Sequence, residues 1–339
     1  MGHQEIKLAV AGLSDDEIAA LDGDWAEFSE AERVAFAFAR KLTQEPHRIE
    51  DADFDRLRKH YKDIQILEMI FSIAGNNVLN RWKDAMGFPQ EREGSHFLAQ
   101  PNKAPSTDRP LPIKSFLTAT SNKYKNATSC LAPARPTGDK GTPNRSADAR
   151  RPALESRSEV EAALAACRTR TPRLSVVDED KTRALLSADW PKGPLPQWVC
   201  LLANFPKAGV ARAGSIRAAE EKGDLKPLLK AQISWVAARQ DRAWYALGNA
   251  KQRLLALGCS EDEVYALDGS WDAYTPGERA AFSMARKLTA TPDLVTDTDV
   301  AELRKHFSDR EVVQQIHYLT VKAFFDRVTE ASHLRLEKK

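Results

Sequence analysis

The hydrophobic pattern of the chain is that of α-helices. Apolar residues recur at intervals of four, for example at Val34, Phe38 and Leu42, which places them on one face of a helix. Ser14 and Ser29 are each followed three residues later by a glutamate, the capping box that opens a helix. No segment shows the alternation of a half-buried strand. We therefore predict an all-α fold.

The helical pattern occurs twice along the chain. Residues 2–84 align without gaps with residues 248–330, and about 30 of roughly 80 aligned positions are identical, which chance does not give. The sequence ALDGDW of the first copy returns as ALDGSW in the second, and ARKLT and LRKH also recur. We predict a tandem duplication in which each copy ends in a long helix, with Asp63 and Asp309 as N-caps.

The segments outside the two copies differ in composition. Residues 96–155 are rich in Pro, Ser and basic residues and poor in apolar ones, so this segment cannot bury enough surface to offset its ordering entropy. It is predicted to be a flexible linker between a first repeat, residues 1–95, and the rest of the chain. Residues 156–225 are predicted to form a helical lead-in to the second repeat, residues 226–339.

Length and charge exclude several classes of protein. The 339 residues suffice for more than one core, and 50 Lys and Arg nearly balance 48 Asp and Glu. This balance indicates no nucleic-acid or anionic membrane partner. There is no apolar run of about 18 residues and no secretory signal pattern at the N-terminus, so we expect a cytoplasmic protein.

The cysteines give no sign of a metal or cofactor site. Cys130, Cys167, Cys200 and Cys259 are scattered, without a CxxC and without zinc-ligand spacing. Four thiols in a chain with this much core-forming sequence also do not indicate a disulfide framework. We predict no metal ion and no cofactor.

Residues 225–258 have the sequence LKPLLKAQISWVAARQDRAWYALGNAKQRLLALG, and ALDG and ARKLT elements follow them. This pattern resembles the alkylhydroperoxidase D-like (AhpD-like) and carboxymuconolactone decarboxylase superfamily. The similarity is greatest to its tandem-repeat members and covers both copies. It implies an all-helical fold of two AhpD-like bundles that assembles into a homo-oligomer. In the peroxidase branch it also implies a CxxC pair near a helix start, acting with a histidine and an upstream glutamate.

The resemblance carries over to the second copy with its reactive groups missing. The two cysteine positions are Ala243 and Ala246, the histidine position is Asn249, and the upstream glutamate position falls at Ala231. Alanine can neither attack a peroxide nor resolve a sulfenic acid, and asparagine does not carry a proton near neutral pH. The resemblance therefore implies a pseudoenzyme, a catalytically silent structural or oligomerisation module.

The first copy leaves an alternative open. His3 stands at the histidine position, but Met1 comes just after the place where the second cysteine would be. A longer form of the protein with a CxxC upstream of Met1 would be an antioxidant thiol peroxidase that reduces alkyl hydroperoxides. In that form His3 would be the acid–base catalyst.

A second set of residues suggests a binding site. Trp244 and Tyr245, with Trp235 before them, could form the aromatic wall of a pocket for a small hydrophobic ligand, together with Asn249. Packing in the core is the competing interpretation of these rings. His317 is also a binding candidate, although a histidine among Ile316 and Leu319 on the last helix could equally belong to the core or to an interface.

Overall fold

The computed structural model describes residues 14–87 and 154–337. Within these residues it contains fourteen α-helices, two short 3₁₀ turns and no strand, so the predicted all-α fold is confirmed. None of the described helices is long and apolar enough to cross a membrane. His3, Cys130 and most of the predicted linker lie outside the described residues.

The chain divides into two compact units. One unit consists of residues 1–33 and 87–146, and the other of residues 34–86 and 147–339. In the first unit the structure describes residues 14–33 and Gly87. In the second it describes nearly everything, including the whole of the second copy, and the sites considered below all lie there.

The described part of the first copy begins at a predicted capping box. Ser14 donates its backbone N–H to Glu17 Oε2 at 2.7 Å, and Glu17 donates its own N–H to Ser14 Oγ at 3.3 Å. Ser29 forms the same reciprocal pair with Glu32. The elements of this copy are α1 (Asp15–Ala20), α2 (Glu30–Gln44), a 3₁₀ turn (Pro46–Arg48), α3 (Asp51–Arg58) and α4 (Asp63–Ala85).

Six helices precede or open the second copy. They are α5 (Arg157–Cys167), α6 (Glu179–Leu185), α7 (Gln197–Leu202), α8 (Ala208–Glu221), α9 (Pro227–Asp241) and α10 (Trp244–Ala256). The remaining elements are α11 (Glu261–Ala266), α12 (Pro276–Ala290), a 3₁₀ turn (Pro292–Leu294), α13 (Asp297–Arg304) and α14 (Asp309–Ala331). Each of these last five begins and ends 246 residues after an element of the first copy, from Asp15 and Glu261 to Ala85 and Ala331.

The predicted caps of the two long helices are wrong by one residue. The N-caps are Lys62 and Ser308, and Ser308 accepts the backbone N–H of Glu311 as a capping serine does. Asp63 and Asp309 are instead the first helical residues, where a carboxylate is stabilised by the positive end of the helix dipole. Each also pairs with an arginine that ends the preceding short helix, at 2.9 Å in the first copy and 2.8 Å in the second.

Helix α14 is the centre of the second unit. It packs along α4 of the first copy and against α8, α9, α10 and α12. Every residue from Tyr318 to Ala331 is buried, as expected of a helix surrounded by other helices. The pairing of the copies is reciprocal, because α14 contacts the 3₁₀ turn at Pro46–Arg48 whereas α4 contacts the turn at Pro292–Leu294.

Candidate functional site

The start of α10 carries Ala243 and Ala246, the positions at which the AhpD-like resemblance predicts cysteines in a peroxidase. Helix α9 ends at Asp241, and Arg242 takes the left-handed conformation, with φ of 50° and ψ of 38°, that commonly terminates helices. Ala243 is then the N-cap of α10, which starts at Trp244. The turn between the two helices is therefore only two residues long, and it places Ala243 and Ala246 at a helix N-terminus.

The three alanines that were predicted to mark a degenerate site are completely enclosed. Ala231, Ala243 and Ala246 each have 0% of their surface exposed. Methyl groups provide no nucleophile, acid or base, and full burial also denies a hydroperoxide access to this point of the helix. The structure thus places these residues in the hydrophobic core.

A carboxylate occupies the N-terminus of α10. Glu330 Oε2 accepts the backbone N–H of Trp244 at 3.0 Å, and Glu330 Oε1 accepts a hydrogen bond from Arg170 Nη2 at 2.6 Å. Glu330 itself is only 5% exposed. Free N–H groups at a helix start stabilise an anion. In a thiol peroxidase that anion would be the thiolate, whereas here it is the side chain of Glu330.

More charges lie behind Glu330, in a cluster formed by Asp241, Asp326, Arg327 and Arg81. Arg327 Nη1 donates to Asp241 Oδ2 at 3.0 Å, and Arg327 Nη2 donates to the carbonyl of Thr43 at 2.8 Å. Burial, assisted by the charge of Asp241, raises the pKa of Asp326 well above its usual value. Burial and the neighbouring Arg327 lower the pKa of Arg81 to about 9. The cluster can hold a proton, but it contains no thiol.

Asp326 is the member of this cluster whose burial is least compensated by hydrogen bonds. It is fully buried, and neither of its carboxyl oxygens has a hydrogen-bond partner within residues 14–87 and 154–337. A buried carboxylate without such bonds is costly, which is why the protonated form is favoured. Lys322 and Arg327 act in the opposite direction on its pKa, but burial dominates.

A second ionic network continues along the same face of α14. Glu220 accepts hydrogen bonds from Tyr318 Oη at 2.7 Å and from Lys322 Nζ at 3.3 Å, and it also pairs closely with Arg253. Tyr318, Lys322, Asp326 and Glu330 are spaced four residues apart and therefore share one side of the helix. Sequence analysis missed these residues. The sequence signal that could have revealed them is a polar residue at every fourth position of an otherwise apolar helix.

Two rings of the predicted aromatic wall, those of Tyr245 and Trp235, are fully buried. Tyr245 has 0% of its surface exposed and donates its hydroxyl to Glu337 at 2.7 Å. Trp235, equally buried, donates Nε1 to Asp268 at 2.8 Å and lies against a different ring, that of Tyr265. Their surroundings are those of core side chains whose polar atoms are satisfied.

The remaining binding candidates are Trp244, Asn249 and His317. Trp244 is half-buried, and Asn249 donates its side-chain amide to the carbonyl of Tyr245 at 3.0 Å. His317 is exposed, with its ring 6.5 Å from that of Trp82. Because His317 precedes Glu330 by thirteen residues on α14, the two are about 20 Å apart along the helix axis. His317 therefore does not belong to the site at the start of α10.

The described thiols are poor nucleophiles in this environment. Burial raises the pKa of Cys167 to about 11, and it also raises the pKa values of Cys200 and Cys259. A thiol reacts through its thiolate, so these groups are largely inactive near neutral pH. No cysteine stands at the start of a helix among the described residues.

Space for a small molecule exists elsewhere in the second unit. A cavity of about 560 Å³ lies beside α7 and the C-terminal segment, lined by apolar residues such as Leu195 and Leu336 and by Arg168, Glu179 and Glu337. Its charged lining differs from the apolar pocket that was predicted. In the described part of the chain, no group of three or more His, Cys, Asp or Glu side chains is arranged to hold a metal ion.

Comparison with known proteins leaves the family unassigned. No protein-family model matches the chain, and no curated protein sequence matches it. Similar solved structures are the crystal structures of the debrominase Bmp8, one of a variant in complex with 2,3,4-tribromopyrrole and one apo. Each has a TM-score of 0.40 and 18% sequence identity, and the alignments cover 55% and 54% of this chain and 90% of the debrominase. A TM-score this low carries no argument about the site, and the AhpD-like resemblance stays a prediction.

Proposed function

We propose that this chain is a catalytically silent AhpD-like module whose second copy has exchanged a peroxidase site for a structural ion pair. The observation that carries the proposal is the start of α10. There Ala243 and Ala246 are fully buried, and Glu330 accepts the N–H of Trp244.

The chemistry of peroxide reduction supports this proposal. It requires an accessible thiolate, a second thiol within reach of the resulting sulfenic acid, and groups that carry protons. The carboxylate of Glu330 would repel a thiolate at the start of α10, because like charges in a buried site disfavour ionisation. The described cysteines have raised pKa values and stand elsewhere in the fold.

The direct test is a peroxidase assay on the purified chain. We expect reduction of an alkyl hydroperoxide, with dithiothreitol as the reductant, to proceed at the rate of the buffer alone. Turnover that is abolished by replacing any one of Cys130, Cys167, Cys200 or Cys259 with serine would refute the proposal.

A gain-of-function variant tests the reason for inactivity. We expect Ala243→Cys/Ala246→Cys to remain inactive, because the introduced thiols would be buried beside Glu330. The triple variant with Glu330→Gln removes the repelling charge and serves as the comparison. If the double variant alone reduced hydroperoxides, burial and charge would not be what silences this site.

The resemblance further suggests that the module assembles into a homo-oligomer, and the sequence pattern predicts a cytoplasmic location. Light scattering on the purified protein should then give a mass that is a multiple of 37.8 kDa. A monomer over the whole range of measured concentrations would exclude self-assembly as its role. Fractionation of the native source should recover the protein with the soluble cytoplasmic proteins.

A further inference from the structure

Arg173 fills a groove between the end of α14 and helix α3. Its guanidinium donates from Nε to Asp51 Oδ1 at 2.6 Å and from Nη1 to the carbonyl of Ala331 at 3.1 Å. The same guanidinium lies 5.6 Å from the centroid of the Phe54 ring. We call the groove formed by Asp51, Phe54, Arg58, Ala331 and Ser332 the occupied groove.

The backbone of this segment is also held. The N–H of Arg173 donates to the carbonyl of Ser332 at 3.0 Å, and Arg58 Nη2 donates to the carbonyl of Arg173 at 2.7 Å. The side chain of Arg173 is only 11% exposed although its partner Asp51 is 81% exposed. The occupied groove therefore binds this segment, which bends at Arg173 and Leu174, through both its main chain and one arginine.

The duplication creates a counterpart of this groove at the other end of the paired helices. Residues 246 positions away in the alignment, Asp297, Val300 and Arg304 of α13 with Ala85 and Met86 at the end of α4, line a cavity of about 370 Å³. We call this cavity the open groove.

The open groove keeps the groups that bind the peptide in the occupied groove. Asp297 corresponds to Asp51, which pairs with the arginine, and Arg304 corresponds to Arg58, which donates to the peptide carbonyl. Arg304 is oriented by Asp309 at 2.8 Å, as Arg58 is oriented by Asp63 at 2.9 Å. The main loss is the aromatic ring, because Val300 replaces Phe54.

We propose that the open groove binds a peptide segment of a partner protein, in which an arginine is followed by an aliphatic residue. The arginine pairs with Asp297, an exposed carboxylate for which the described residues provide no ion pair. It also meets the last carbonyls of α4, which have no partner within the helix and lie at the negative end of its dipole. Charge-assisted bonds of this kind are the strong ones.

The aliphatic residue is inferred from the occupied groove, and the assignment to a partner protein is inferred from the chain's own sequence. Leu174, next to Arg173, is only 3% exposed and belongs to the core. The chain's own residues 88–153 contain arginines, but none of them precedes an aliphatic residue. These arginines are Arg92, Arg109, Arg135, Arg145, Arg150 and Arg151.

The test uses the peptide already seen in a groove of this kind. A fluorescently labelled peptide with the sequence of residues 169–177, TRTPRLSVV, is titrated into the full chain, and binding is followed by fluorescence anisotropy. We expect saturable binding that weakens about tenfold or more in the Asp297→Asn variant, because a charge-assisted hydrogen bond is lost. A peptide with alanine in place of Arg173 should lose binding to a similar extent.

Two control variants locate the binding. Asp272→Asn removes an exposed carboxylate that does not line the groove, and Asp51→Asn weakens the occupied groove instead. Neither should change the affinity of the peptide by more than about twofold. Absence of saturable binding overturns the proposal, as does binding that is insensitive to Asp297→Asn. Binding that depends on Asp51 alone would show that the peptide displaces the Arg173 segment from the occupied groove, and this result would also overturn the proposal.

Discussion

The contact between Glu330 and the start of α10 makes a strong prediction for stability. Glu330 accepts one hydrogen bond from Trp244 and one from Arg170, and the exposed fractions of the paired side chains are 5% for Glu330 and 12% for Arg170. Replacing Glu330 with glutamine keeps the size of the side chain and a neutral acceptor but removes the charge. Replacing it with alanine removes both and leaves Arg170 as a mostly buried, unpaired cation.

The expected losses in free energy of unfolding follow from what each of the two substitutions removes. Exchanging charge-assisted hydrogen bonds for neutral ones should cost about 1–2 kcal/mol in the Glu330→Gln variant. Breaking a buried ion pair on one side costs about 3–5 kcal/mol. We expect Glu330→Ala near the lower end, about 3 kcal/mol, because losing this neighbouring negative charge also relieves Asp326.

Urea unfolding followed by tryptophan fluorescence measures the change, and equal m-values are required for the comparison. The double variant Arg170→Met/Glu330→Met should recover most of the loss, since apolar residues often replace a buried pair at little cost. Glu311→Gln, at the exposed start of the same helix, is the matched control and should change stability much less. A cost below about 1 kcal/mol for Glu330→Ala, or unchanged hydrogen exchange of the Trp244 amide, would refute the structural role.

Three further predictions concern packing, protonation and thiol reactivity. Gly209→Ala should prevent stable folding, because its Cβ would lie 1.8 Å from a backbone carbonyl oxygen of α7. The control Gly214→Ala lies in the same helix, and its Cβ would meet nothing within 4 Å. Thermal unfolding should show that this second variant is more stable than the wild type by about 0.5–1 kcal/mol. The folded-state pKa of Asp326 is raised, so its contribution to stability is complete below the unfolded pKa of about 4 and is lost as pH rises through the folded value. In urea titrations the free energy of unfolding of Asp326→Asn should therefore increase relative to that of the wild type as pH rises. An equal difference between the two proteins at all pH values would contradict this. Mass mapping after maleimide treatment of the native chain should find the half-buried Cys259 modified before the fully buried Cys167, and the reverse order would be inconsistent with the fold.

Several features of this protein could be predicted from the sequence because they depend on nearby residues. A capping box such as Ser14 with Glu17 spans three residues, and the apolar period of a helix repeats within four. The helices of both copies therefore begin and end close to where these signals indicate. Where the signals are ambiguous, as between Ser308 and Asp309, the prediction was wrong by a single position.

The candidate site depends on contacts between residues that are far apart in sequence. Glu330 meets a residue 86 positions before it, and Arg170 meets Glu330 across 160 positions. Local pattern also does not determine which way a side chain points. His317 is exposed although Ile316 and Leu319 are buried, because neighbouring residues on a helix are about 100° apart around its axis.

The sequence alone determined the fold class, the duplicated helical pattern and the absence of reactive groups at Ala231, Ala243 and Ala246, since helix signals and residue identities are local properties. Only the tertiary structure decided what surrounds these alanines. Packing of α14 against α10 brings Glu330 to the N-terminus of α10, and Arg173 contacts both the end of α14 and helix α3. Such contacts arise because buried charges and helix ends must find partners wherever the fold provides them.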